Sequence, residues 1–341
     1  MIFLLNFLSG CSTQKPTEGP MVAILCSRSD LIQILDAEEL KTANTIPLRS
    51  LAMDFILNKD NGLIYTAQCG GVGPDADNRV GEIDARTGSC RYIELKYPNP
   101  CDIVVYDNKL FVIHGFMLKS GEFVGSKISV PEDYKVDKFL LPGIPNGNLT
   151  TYNQFFFTSL SGKGKQKDQC LAAFDMSIEK TIEIDVESFL GNNKKMPILT
   201  TDEGGRVYGF VYDKSILNKK SVNTCRIAVI DPESSKLVRE LDASPLKSLR
   251  GTLTELIYSQ GYLFALFTEG QDTVAVLNAE TGEVEKLLSQ FSNLSCMMVQ
   301  GNRLYLGQRR EKKIIVLNTT NWDVTKEVPL KGTPQDILFI P

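Results

Sequence analysis

Reactive side chains are scarce in this sequence. Its 341 residues include one histidine, His114, at the end of the apolar run LFVIHG, and eight cysteines. A single imidazole cannot furnish a two-histidine metal site or a zincin helix. A Ser-His-Asp arrangement would have to use His114, and no G-x-S-x-G elbow accompanies it. Asp75, Asp77 and Asn78 in GPDADNR begin like a calcium loop, but the central Gly and distal Glu of such a loop do not follow. The glycine-rich GGVG at 70–73 lacks the Lys-Ser/Thr and helix that a phosphate loop needs, so it reads as an insertion turn. Lys163, Lys165 and Lys167 read as a solvated loop. Setting Cys11 aside, Cys26, Cys69, Cys90, Cys101, Cys170, Cys225 and Cys296 form no C-x-x-C pair and no zinc or iron–sulfur spacing. Their apolar strand settings favour structural thiols, with Cys90 and Cys101 the nearest pair for a disulfide. No catalytic residue, cofactor or metal is expected from these residues.

Function must then come from how ordinary side chains are positioned, and the positioning elements repeat. RVGEIDARTGSCRYIEL (79–95), RIAVIDPESSKLVREL (226–241) and TVAVLNAETGEVEKLL (273–288) are copies of one phrase, and LIQILDAEELKTANTIPL (31–48) and KIIVLNTTNWDVTKEVPL (313–330) are weaker ones. Each is a β-branched strand, an Asp or Asn, a short turn often ending in Gly, and an alternating strand, which describes a β-hairpin. The Asp or Asn is expected to accept hydrogen bonds from backbone N–H groups two or three residues on, with Gly88 or Gly282 taking positive φ. A second phrase of two strands around a tight turn lies between the hairpins, in MDFILNKDNGLIYTA, DIVVYDNKLFVIHG, ELIYSQGYLFALF and MMVQGNRLYLGQ. Together the two phrases make four antiparallel strands that cannot bury a core alone and must stack on neighbours.

The anchors Asp36, Asp84, Asp175, Asp231, Asn278 and Asn318 mark six units, and the long gap after Asp84 holds a degenerate one with strands near 102–115 and 127–141. The chain begins its first unit at Met21–Cys26 without an inner strand and ends in PQDILFIP, an inner strand without a unit. Pairing the two closes a ring. The expected fold is all-β, a propeller of seven four-stranded antiparallel blades closed between its N- and C-terminal strands; six or eight blades fit the spacing less well. A short helix is expected around Phe189. The pattern "apolar strand, Asp/Asn-x-x-Thr-Gly-x-Val, apolar strand, G-x-x-P, strand, N-x-L-Y-V" resembles the YVTN-type (YncE-like) propeller repeat, best over 274–307 and 314–340. It departs from that repeat at the insertions 70–79, 161–169 and 212–224.

Residues 1–20 read as a separate segment and 21–341 as a single propeller domain. MIFLLNFLSGCSTQKP carries an apolar run and then Leu8-Ser9-Gly10-Cys11, which resembles a bacterial lipobox, although no Lys or Arg precedes the run. That resemblance implies a lipid on Cys11, a tether over residues 12–20 and a periplasmic or outer-membrane place in the bacterial cell envelope. Beyond residue 21 no stretch reaches the roughly 18 apolar residues of a membrane helix. A net charge of −4 argues against bulk electrostatic attraction to nucleic acid, and a monomer is expected.

Propeller loops between blades, and between second and third strands, converge on one face around the channel. On that face the sequence places Arg28, Arg49, Asp75, Arg79, His114, Lys163, Arg250, Glu269, Gln308, Arg309 and Arg310. The preferred reading is a non-catalytic binding or scaffold lipoprotein whose loop face meets a protein, glycan or small ligand. The alternative is a propeller enzyme of lactonase or lyase type working at the channel. The direction in which His114 points discriminates between them.

Overall fold

A computed structural model describes residues 19–70, 77–117, 123–130, 133–141, 143–145, 148–161, 169–184, 190, 194–213, 226–249 and 251–341. Within them the strands form seven antiparallel blades in a ring. The inner strands, in blade order, are Thr333–Ile340, Ala52–Asn58, Pro100–Tyr106, Thr150–Tyr152, Leu199–Thr201, Thr252–Ser259 and Leu294–Gln300. In blade 4 the inner edge is interrupted, so that Ile144–Pro145 and Thr150–Tyr152 both pair with Phe155–Ser161. A separate two-residue ladder joins Lys194–Lys195 to Tyr212–Asp213. No helix among the described residues is long and apolar enough to cross a membrane. The helix expected around Phe189 falls outside the described residues.

The turn chemistry explains the hairpins. Asp36 Oδ1 accepts the N–H groups of Glu38 and Glu39 at 2.9 and 2.6 Å, and Asn278 Oδ1 those of Glu280 and Thr281 at 2.9 and 3.0 Å. Asp84, Asp175, Asp231 and Asn318 accept in the same way. Gly282 then adopts φ +80°, and a Cβ there would come within 2.9 Å of Leu241 Cβ, so both conformation and space require glycine.

The core is divided among the junctions between blades. Met21, Ala23 and Leu25 pack toward blade 2 with Ile64 and Ile83, while Val22, Ile24 and Cys26 of the same strand pack toward blade 7 with Tyr305 and Val316. Side chains alternate across a strand, so a strand buried on both faces must be apolar at every position, which is what MVAILC supplies. The degenerate third blade meets blade 4 through aromatic rings instead. Phe156 and Phe174 stack at 4.8 Å and Phe139 lies 4.9 Å from Phe174. Gly125 makes room, because a Cβ on it would fall 2.0 Å from the Phe139 ring.

Ring closure is made by Met21–Ser27 pairing antiparallel with Thr333–Ile340, from Met21↔Ile340 to Ser27↔Thr333. The C-terminal strand thus supplies the inner edge of the blade that the N-terminal strand begins. Deleting residues 333–341 bares the inner edge of the Met21–Ser27 strand and part of the cores shared with blades 7 and 2. The expected loss is several kcal/mol, much of a typical domain's stability. Urea unfolding and soluble yield measure it, and a truncated chain melting like the parent would contradict closure by this pair.

Candidate functional site

Strand alternation sorts the connections onto two faces. Turns between first and second and between third and fourth strands lie on one face, called here the turn face. Loops between second and third strands and between blades lie on the other, the loop face. Arg28 sits in the second-to-third loop of blade 1 and Arg49 in the connection from blade 1 to blade 2. Arg79 starts the third strand of blade 2, and Glu269, Arg309 and Arg310 occupy second-to-third loops of blades 6 and 7. All six are therefore at the loop face. Cys11, Asp75, Lys163 and Arg250 lie outside the described residues.

Several of these side chains already have structural partners. Arg79 Nε donates to Asp77 Oδ1 at 2.6 Å, and Ser50 Oγ and the Asn78 N–H also bond the Asp77 carboxylate. Burial raises the Asp77 pKa, but these hydrogen bonds outweigh it and hold the carboxyl below its ordinary value. Asp77, the second acid of the calcium-like spacing, is thus engaged by Arg79, Ser50 and the Asn78 N–H. The Arg49 guanidinium lies 4.7 Å from the Tyr92 ring centroid, a cation–π contact. Arg309 and Arg310 are exposed and pair with none of the described residues.

His114 points neither into the channel nor onto the loop surface. It is 1% exposed inside blade 3, with Nδ1 2.9 Å from the Pro98 carbonyl oxygen and Nε2 2.8 Å from Ser126 Oγ. The carbonyl can only accept, so Nδ1 carries the proton and Nε2 accepts from the serine hydroxyl. Burial lowers the His114 pKa and keeps the ring neutral. The imidazole cross-links the blade and has no free nitrogen to offer a substrate.

The channel holds what the sequence reading missed. A cavity of ≈ 460 Å³ on the axis is lined by the inner strands and contains Asp54, Asp102, Glu255 and Asp336. The pairing register shifts between Ala52 and Asp54, between Pro100 and Asp102, and between Leu253 and Glu255. The residue before each acid is thus a bulge that re-aims the strand. Asp336 follows a corresponding shift in the closing strand. The sequence signal is an acid directly ahead of each inner apolar run, in MDFIL, CDIVV, TELIY and QDILF.

These side chains and their neighbours tie blade to blade. Asp54 Oδ2 accepts the Ile103 N–H at 2.9 Å, and Glu255 Oε2 accepts the Met297 N–H at 2.8 Å. Thr200 Oγ1 accepts from the Tyr258 N–H at 3.1 Å, and Asn148 exchanges two 2.8 Å bonds with the Leu199 backbone. Ser295 Oγ donates to the Pro334 carbonyl at 2.7 Å, and Gln335 Nε2 to that of Met53 at 2.9 Å. Around the channel no such bond joins blades 3 and 4 among the described residues, where Asp102 accepts none from them; Lys127 Nζ pairs with Glu179 Oε1 across that junction instead. Burial raises Asp102 to about 6 and Asp336 to about 7. Asp54 is pushed well above the carboxylate range by burial and then by the charges of Asp102 and Asp336, and Glu255 by burial and then by Asp336. Among the described residues no three His, Cys, Asp or Glu side chains converge closely enough to hold a metal ion. Cys26, Cys69, Cys90, Cys101 and Cys296 are free thiols, so the Cys90–Cys101 disulfide is not formed.

A second recess of ≈ 580 Å³ opens on the loop face between blades 6 and 7. Its walls carry Glu269, Asp272, Phe291, Asn293, Arg309 and Arg310.

No known protein-family pattern matches the chain, and no curated protein matches it by sequence. Solved structures share its fold. AztD from Citrobacter koseri, in its apo form, is 14% identical, with 94% of this chain and 98% of that one covered at a TM-score of 0.57. The dihydro-heme d1 dehydrogenase NirN is 12% identical, covering 93% and 74% at 0.61. BamB from Moraxella catarrhalis is 14% identical, covering 94% and 88% at 0.56. At such identities the likeness establishes the propeller and nothing finer.

The channel acids predict an inverted pH dependence. A carboxyl whose folded pKa lies above its unfolded value of about 4 binds protons more strongly when folded. Its contribution is present below that value and is lost as pH rises through the folded pKa. His114 acts oppositely, weakening the fold as pH drops below about 6.5, the ordinary histidine value. Between pH 6.5 and 8 the release of the proton from Asp336, pushed up to about 7, therefore dominates, and urea midpoints should fall as pH rises. Asp336→Asn keeps the acceptor for the Ile337 N–H and should flatten that slope while raising the midpoint at pH 8. A midpoint that climbs from pH 6.5 to 8 in the parent would contradict it.

Proposed function

We propose that the chain is a non-catalytic binding or scaffold lipoprotein of the bacterial cell envelope, held by a lipid on Cys11 and meeting its partner with the loop face. The observation that carries the reading is the separation of the two faces. The described residues begin at Gly19 on the turn face, where the Arg86 guanidinium bonds the backbone oxygens of both Gly19 and Pro341. A tether over residues 12–20 would leave from there, so an anchored body would turn its loops, the exposed Arg28, Arg49, Arg309 and Arg310 and the cleft away from the membrane. The occupied nitrogens of His114 favour binding over base catalysis. The envelope location rests on Leu8-Ser9-Gly10-Cys11, and kinship with YVTN-type propellers on the repeat wording.

The full-length chain should fractionate with membranes and incorporate labelled palmitate, and Cys11→Ser should abolish both. Unchanged membrane association in that variant contradicts the anchor.

One observation favours the enzymatic alternative. Asp102 at about 6 and Asp336 at about 7 line an open cavity and have the proton affinities of acid–base groups at neutral pH. A hydrolase and lyase screen tests this reading. Turnover in the parent that falls a hundredfold or more in Asp102→Asn or Asp336→Asn would establish it over the binding role, and absence of turnover leaves binding.

A further inference from the structure

The cleft between blades 6 and 7 differs from the rest of the loop face in its combination of groups. Arg309 and Arg310, consecutive in the chain, both line it, and their guanidiniums are exposed and without partners among the described residues. Two acids lining the same cleft are already engaged. Asp272 Oδ2 accepts the Leu294 N–H at 2.8 Å, and Glu269 Oε2 accepts from Thr252 Oγ1 at 3.3 Å. These bonds engage one oxygen of each carboxylate, neither carboxylate forms an ion pair with Arg309 or Arg310, and each keeps lone pairs free. Asn293, whose Nδ2 donates to Glu311 Oε1 at 3.2 Å, leaves its side-chain oxygen available. Phe291 is the one aromatic side chain lining the cleft among the described residues. Part of its ring packs against the core shared by blades 6 and 7, while the half-buried residue still lines the opening. Behind the lining residue Ser292, Gln308, 5% exposed, donates Nε2 to the Ser292 carbonyl at 2.8 Å and leaves Oε1 without a partner among the described residues.

We infer that this cleft binds a carboxylated sugar unit, a hexuronate within a glycan. The inference rests on the loop-face binding reading and names its ligand class. A hexuronate carboxylate matches the fork geometry of a guanidinium, which two adjacent free arginines supply. Its hydroxyl groups donate to Glu269, Asp272 and Asn293. Its C–H face lies against Phe291, as apolar sugar surface does on aromatic rings. The fixed acids disfavour a phosphate dianion, which they would repel, whereas a monoanion rich in hydroxyls uses cations and acids together. A peptide is disfavoured because the cleft offers a single apolar anchor. A volume of ≈ 580 Å³ falls within the ~300–1,000 Å³ of small-molecule sites and leaves room for neighbouring sugar units.

The test titrates full-length protein by calorimetry with a tetramer of (1→4)-linked galacturonic acid and with the same tetramer after reduction of its carboxyl groups to alcohols. The acid tetramer should bind saturably and at least tenfold tighter than the reduced one. Arg309→Ala with Arg310→Ala should weaken it tenfold or more at an unchanged melting temperature. Phe291→Leu, which preserves apolar packing, should weaken both tetramers. No saturable binding of the acid tetramer, equal binding of the reduced one, insensitivity to the double alanine variant, or displacement by inorganic phosphate at equal concentration would each overturn the inference. Failure here is separable from failure of the binding reading. If a partner recovered on the loop face persists while the tetramer does not bind, only the ligand class is wrong.

Discussion

Each blade is a sheet that is apolar on both faces, and everything else in the structure follows from that constraint. A face carrying Ile227 and Val229 or Phe264 and Leu266 is covered only by another blade bearing the same kind of face. A stack of such sheets has two raw ends unless it closes on itself. Closure is accomplished by splitting blade 1 between the chain's two ends, whose strands pair through backbone hydrogen bonds, so that Val22 and Ile24 meet Tyr305 while Met21 and Ala23 meet Ile64. The ring brings seven inner strands around one axis, and the exposed edges of those strands become a structural problem at the channel. Their N–H and C=O groups are answered by Asp54, Glu255, Thr200, Asn148, Ser295 and Gln335 reaching from blade to blade.

This arrangement accounts for acids at sites that burial would otherwise exclude. A carboxylate accepts a backbone N–H strongly, and at the channel it retains access to water on its other side. The consequence is electrostatic crowding: Asp54 feels Asp102 and Asp336, and Glu255 feels Asp336. The fold tolerates that crowding because stitching and proton uptake relieve it together. Asp336 bonds only the Ile337 N–H of its own strand, and Asp102 accepts no hydrogen bond from the described residues, at the junction where the phenylalanine cluster of blades 3 and 4 provides the cohesion.

Much of this architecture was legible in the sequence because hairpin chemistry is local. Asp84 and Gly88, or Asn278 and Gly282, announce their turns within a few residues, and the wording Met21–Cys26 against PQDILFIP announces the closure. Blades 4 and 5 were harder to read, since their inner strands are only three residues long, Thr150–Tyr152 and Leu199–Thr201. Sites were less legible than strands. His114 has the same sequence neighbourhood whether it faces a channel or a serine, and only the tertiary placement of Pro98 and Ser126 decides. The channel acids left a visible column ahead of each inner strand, but bulges that turn them toward the axis have no residue signature of their own. Arg309 and Arg310 were identifiable as loop cations; that Phe291, Asp272 and Glu269 join them follows from the lateral packing of two blades.

Turn face and loop face are chemically distinct. The turn face is built of self-satisfied Asx turns, whereas the loop face presents unpaired guanidiniums and the cleft. The central claim is that contact with the outside is made by the loop face, and site-specific photo-crosslinking in the producing cell tests it directly. A benzophenone side chain at exposed Ser292 on the loop face should give covalent adducts with envelope material. The same probe at exposed Asn302, in a turn on the opposite face of the same blade, should give few. Adducts concentrated at Asn302, with Ser292 silent, would contradict the account.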